Sequence, residues 1–286
     1  MRSLLKFFSL TYVVSWIFFA AAAAISGWTA APTSGLAAIR GLLFLLGTIA
    51  PALVALALTA QADGRVGTLA LLRRIIQWDV RVRWYVFAVA YMALIKVGVA
   101  LAHRLATGAW PAFGQTPFFI MAVAIVFSTP VQAGEEIGWR GYALPRLTER
   151  FGLPLASIVL GVVWASWHLP FFFIPGSDNA GQSFPVFLLA VTALSVALAW
   201  VYWRTNGSLL LTMLMHAAIN NTAGIVSSAA AAGGNPFTLR PPLNAWLTAA
   251  LLWICAGYFL IRMRRVKKIP PPTSGRLSAP PALAGG

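Results

Sequence analysis

Eight apolar stretches, each close to the length needed to cross a bilayer, punctuate this chain and leave little room for any other fold. They run near residues 4–25, 42–60, 84–106, 118–133, 155–174, 184–203, 209–226 and 243–261. A spanning helix needs about 20 mostly apolar residues. Across 286 residues, 59% are hydrophobic and 9% charged, and the mean hydropathy is +0.79. That composition excludes a soluble globular domain. The expectation is an all-α fold: a polytopic transmembrane helix bundle of about eight spans.

The basic residues set the orientation. The net charge is +15, but Lys and Arg sit in the short gaps between apolar runs rather than in one surface stripe, so nucleic acid is not an expected partner. Alternate gaps collect Arg2 and Lys6, the arginines from Arg65 to Arg83, Arg140 to Arg150, Arg204, and the basic run from Arg262 to Arg276. Those gaps hold 17 of the 21 basic residues, the opposite side holds Arg40, Arg104 and Arg240, and Lys96 falls inside a span. The positive-inside rule then places both termini in the cytoplasm. The first apolar run resembles a secretory signal, with its basic start and alanines from Ala20 to Ala24. It is longer than the roughly 7 to 15 residues of such a core, and is read as the first helix.

Four regions are expected: residues 1–117 with three spans and a basic cytoplasmic loop, 118–226 as a core of spans four to seven, 227–268 with the last span, and a disordered Pro/Ala-rich tail over 269–286. The basic segment 63–83 could hold a short interfacial helix. Cys255 is the only cysteine, so neither an intrachain disulfide nor a cysteine metal cluster can form. Arg far outnumbers Lys and Ala is abundant, the usage of a GC-rich bacterial genome, which suggests a bacterial inner membrane.

Against this apolar background three polar groupings stand out. Glu135 and Glu136 are two of only six acidic residues, and Arg140 follows one helical turn later. Carboxylates at membrane depth are costly and mark sites. Glu136 and Arg140 are four apart and can pair on one helix face. Glu135 is rotated about 100° away and left free of that pair. His168 precedes a Leu169-Pro170 step that disfavours helix, which puts it at a helix end or kink. His216 and Asn220, four apart, share a face, whereas Asn221 turns away. Lys96 can snorkel toward the interface along its stem, and His103, with no polar companion in sequence, reads as interfacial. A purely structural role for each grouping is the competing reading, since His and Asn also bridge membrane helices.

Together these residues are the parts of a hydrolase. Partial desolvation makes a carboxylate a stronger base, and Glu135 is the candidate to activate a water. The two imidazoles could bind a zinc ion that acidifies the water, or hydrogen-bond the water and leaving group without metal. Asn220 could donate to the oxyanion. The helical zinc motif HExxH is absent, so both routes stay open. Two other classes compete. A proton-coupled membrane transporter would use Glu135, His168 and His216 as a relay, and a non-catalytic membrane scaffold would use none of them.

The ordered set resembles the CPBP or Abi family of intramembrane proteases, which includes the type II CAAX prenyl endopeptidases and bacteriocin-processing enzymes. Its motifs are EExxxR, FxxxH and HxxxN. Glu135, Glu136 and Arg140 match the first in full, and His216 and Asn220 match the third. The second departs: Trp164 stands where the family has Phe, four residues before His168. Trp retains an aromatic wall. The resemblance covers residues 118–222 and implies an endopeptidase acting on membrane-associated peptides or protein tails. In it Glu135, His168, His216 and Asn220 are catalytic, Glu136 and Arg140 support the site, and His168 with His216 are the metal candidates. Family members are commonly called metalloendopeptidases, which implies zinc; a metal-free glutamate route fits the residues equally. The implied partners are the lipid bilayer and a peptide or membrane-protein substrate, prenylated or not.

Overall fold

The computed structural model describes residues 2–28, 34–228 and 235–268; the tail expected over 269–286 lies outside them. Ten α-helices follow one another without a strand among the described residues. They are α1 (Arg2–Ile25), α2 (Ser34–Arg73), α3 (Val82–Thr107), α4 (Phe118–Ser128), α5 (Ala133–Glu136), α6 (Leu144–Phe151), α7 (Leu153–Trp167), α8 (Phe184–Arg204), α9 (Leu209–Thr222) and α10 (Leu243–Met263). Each of the eight apolar stretches is largely helical. Five helices are long and apolar enough to span a bilayer: α1, α2, α3, α8 and α10. Residues Phe118–Ser128 and Pro130–Phe151 form a bent pair, turned by 43°, with the combined length and hydropathy of a sixth if the two are counted as one span. The remaining two apolar helices, Leu153–Trp167 and Leu209–Ile225, are shorter.

Local sequence explains the irregularities. Gly64, with φ 59° and ψ −157°, breaks α2, and the chain resumes as helix to Arg73. Part of the basic segment is therefore helical, as a continuation of α2. The fourth apolar stretch stops at Ser128 because Thr129-Pro130 ends it in a short 3-10 turn over Pro130–Gln132. Pro51 also lies inside α2. It lacks an N–H, so the carbonyl of Gly47, one turn earlier, loses its helical donor. Ser15 on α1 supplies the replacement, donating to Gly47 O at 2.8 Å, as a freed carbonyl in apolar surroundings requires.

α1 is stitched into the bundle. The Trp16 indole donates to Trp167 O at 3.0 Å and the Tyr12 hydroxyl to Val163 O. Phe7 and Phe19 are fully buried, and Phe7 meets Trp139 edge to face. Gly134 and Gly138, four apart, bring the site segment onto α2. A Cβ at Gly138 would lie 2.6 Å from Pro51 O, and one at Gly134 would lie 2.9 Å from Ile49 Cγ2. Such small-residue pairs let membrane helices approach closely.

Candidate active site

The polar motifs converge where α5, α7 and α9 meet. After α5 the chain widens into a π-helix over Ile137–Ala143, buried along its whole length. π segments are rare and concentrate at functional sites. Glu135 and Glu136 close α5, and Arg140 sits in the π turn. His168 occupies the C-terminal cap of α7, directly before a 3-10 turn over Leu169–Phe172. The Leu-Pro step thus places it at a helix end, as its sequence implies. His216 and Asn220 project from α9.

Glu136 anchors a fully buried network. Its Oε1 accepts from Arg140 Nη1 at 2.7 Å and from His216 Nδ1 at 2.9 Å. Glu136 and Arg140 have no exposure to solvent. The (i, i+4) pair read from spacing is present, and it extends to a histidine 80 residues away that spacing did not reveal. Because a carboxylate only accepts, a hydrogen sits on His216 Nδ1, and in the neutral ring Nε2 carries the lone pair.

Glu135 is held differently. It makes no ion pair with Arg140 among the described residues; its Oε2 accepts from Trp164 Nε1 at 2.7 Å. The Trp164 ring packs edge-on to both imidazoles, with centroid distances of 5.7 Å to His168 and 5.2 Å to His216. It also carries the Arg140 guanidinium over its face at 4.1 Å, a cation–π distance. One indole therefore touches Glu135, Arg140, His168 and His216. A phenylalanine would reproduce the packing without the hydrogen bond.

His168 Nδ1 lies 2.8 Å from Trp164 O. A carbonyl only accepts, so Nδ1 carries a hydrogen here too, and in the neutral ring Nε2 is free. Glu135, His168, His216, Asn220 and Trp164 line one cavity of about 760 Å³. Asn220 is exposed on that wall, whereas Asn221 turns away and donates to Ser128 Oγ and Ala217 O, tying α9 to α4.

As neutral rings, both imidazoles present Nε2 lone pairs, the state a metal ligand needs. Among the described residues, however, no group of three His, Cys, Asp or Glu side chains gathers closely enough to hold an ion. The donors present do not compose the three-ligand centre of a catalytic zinc.

Two sequence expectations change. Lys96 does not snorkel. It is 1% exposed, turns inward from α3, and its Nζ meets Ser228 Oγ at 2.9 Å and Thr248 Oγ1 at 3.2 Å. Inward hydroxyls on α10 and the preceding connection provide partners that periodicity cannot foresee. His103 is half-buried at the end of α3 and has a polar companion, with Thr107 Oγ1 at 3.3 Å from its Nδ1.

Comparison with known proteins matches the same segment. Residues 115–222 fit the model of the Rce1-like type II CAAX prenyl endopeptidases. The match contains all six motif residues. These findings support the CAAX protease family. A CAAX prenyl protease 2 from Methanococcus maripaludis is 32% identical over 108 residues, 36% of this chain and 37% of that relative. The chain thus spans little more than a third of the relative's length, and α1, α2, α3 and α10 lie outside the CAAX-protease match.

Proposed function

We propose that this protein is an intramembrane endopeptidase that hydrolyses membrane-associated peptides or protein tails with a water activated by Glu135. The observation that carries the reading is the position of Glu135. One carboxylate oxygen is held by Trp164, no other hydrogen bond reaches the group among the described residues, and it faces a cavity shared with two imidazoles and an amide.

The mechanism needs only this chain's side chains. The Glu135 carboxylate takes one proton from water while one imidazole Nε2 of the His168 and His216 pair accepts the water's other hydrogen and orients it, and the other Nε2 accepts the N–H of the scissile amide. The water oxygen bonds to the scissile carbonyl carbon, and the Asn220 amide donates to the oxyanion that forms. As the C–N bond breaks, Glu135 returns its proton to the leaving nitrogen, giving an acid and an amine. Glu136 and Arg140 take no proton: they fix the His216 tautomer and hold the π turn in place.

The expected setting is a bacterial inner membrane with both termini in the cytoplasm. Cleavage of a membrane peptide in ¹⁸O-labelled water tests the reaction class. Hydrolysis puts one labelled oxygen into each new carboxyl group; a carrier or scaffold yields no new termini.

A further inference from the structure

The same cavity holds a cation that the proposed mechanism does not use. Lys96 is buried in α3, lines the cavity wall, and its ammonium is met by two hydroxyls, Ser228 Oγ and Thr248 Oγ1, themselves 3.3 Å apart. Among the described residues no carboxylate lies within ion-pair distance of it. A buried membrane cation is costly, and such residues ordinarily pair with an opposite charge or mark a ligand path. Here the partners are neutral hydroxyls: Thr248 Oγ1 already donates to Asn244 O at 2.7 Å, and the Ser228 hydroxyl is the donor that can turn toward an acceptor. An ammonium with two hydroxyls beside it suits a monoanionic oxygen ligand better than a phosphate dianion, for which bidentate arginines or several cations are usual. All three residues lie outside the segment matched to the CAAX proteases.

We infer that Lys96, Ser228 and Thr248 form an anion subsite that takes a carboxylate of the bound peptide, either its C-terminus or an acidic side chain. The inference rests on the peptidase reading for the identity of the ligand, since Glu135 lines the same cavity and would act on the chain whose carboxylate is tethered there. Arg40 also lines this cavity, but its Nη2 already donates to Pro175 O at 3.0 Å. Among the described residues, the Lys96 ammonium meets only side-chain hydroxyls.

The test is equilibrium binding of fluorescent membrane peptides to the full chain in nanodiscs of neutral lipid, in a Glu135→Gln background so that cleavage does not enter. Four peptides are compared: free acid or C-terminal amide, each with or without one acidic residue. The subsite predicts that removing the responsible carboxylate weakens binding about tenfold or more, the worth of a charge-assisted hydrogen bond. Lys96→Met should abolish that difference, while Lys96→Arg retains it. Sensitivity to amidation assigns the C-terminus; sensitivity to the acidic residue assigns a side chain. Ser228→Ala with Thr248→Val, which keeps the cation, should narrow the difference and guards against misfolding of Lys96→Met. Equal binding of all four peptides to the Glu135→Gln chain overturns the subsite, as does a carboxylate preference that persists in folded Lys96→Met. Either result leaves the peptidase reading to its own cleavage assay.

Discussion

The Trp164 indole donates to Glu135 Oε2 at 2.7 Å while its face carries the Arg140 guanidinium at 4.1 Å. A single side chain thus orients the carboxylate assigned to the reaction and covers the cation that holds the neighbouring carboxylate. That relationship yields the first prediction. Trp164→Phe keeps an aromatic wall and the residue type of the family motif, but removes the N–H. Losing one charge-assisted hydrogen bond costs about 1.5–3 kcal/mol, equivalent to a roughly 10- to 150-fold fall in rate if it falls on the transition state. Steady-state kinetics should show kcat falling with KM little changed and thermal stability preserved. A change confined to stability would assign the indole to packing alone.

The Glu136, Arg140 and His216 network should dominate local stability. Removing one partner of a buried ion pair typically costs about 3–5 kcal/mol because the other charge is stranded. Glu136→Gln is expected to lower the unfolding temperature in detergent markedly and to abolish cleavage. Glu136→Gln combined with Arg140→Met should recover part of the stability and none of the activity, since His216 still lacks its carboxylate. Thermal unfolding and cleavage rates on the same samples check both statements.

Gly138 tests the backbone contact that positions the π turn. Its absent side chain allows the π turn to approach Pro51 O so closely that an added Cβ would sit at 2.6 Å. Since backbone cannot move aside as a flexible side chain can, Gly138→Ala should push α2 and the site segment apart. Reduced unfolding temperature together with reduced cleavage is the expected result. Wild-type behaviour in both would show that the interface gives way at no cost.

Metal dependence separates the two chemical routes. Because the proposed reaction runs on Glu135 and two Nε2 acceptors, purified protein should keep cleaving after exhaustive chelation, and zinc should be substoichiometric by elemental analysis. Stoichiometric zinc whose removal and return switch activity off and on would replace this mechanism with a metal-assisted one.

Much of the fold and part of the site were legible in the sequence. Hydrophobic runs of span length became helices because apolar segments in a bilayer must satisfy their backbone internally. The Glu136–Arg140 pair followed from a four-residue spacing. Lys96 was misread because a basic residue within a span can either reach the interface or turn inward, and the choice depends on hydroxyls more than 130 residues away at Ser228 and Thr248. The π turn was equally hidden, since it keeps helical spacing in the sequence; Gly138 within it lets the chain press against α2. Trp164 did leave a signal. A buried indole N–H needs an acceptor, and the sequence held one unpaired carboxylate, Glu135, on a neighbouring helix. Treating Trp as a larger Phe concealed that partnership.

The most direct test of the central claim is cleavage of a quenched membrane-peptide library by wild-type protein and Glu135→Gln, purified and reconstituted in parallel. The substitution preserves size and can still accept from Trp164, but cannot take a proton from water. Since general acid–base groups contribute about 10²- to 10⁴-fold to rate, the account predicts a loss of at least that order in a variant with unchanged elution and unfolding temperature. Cleavage by folded Glu135→Gln at the wild-type rate would contradict it.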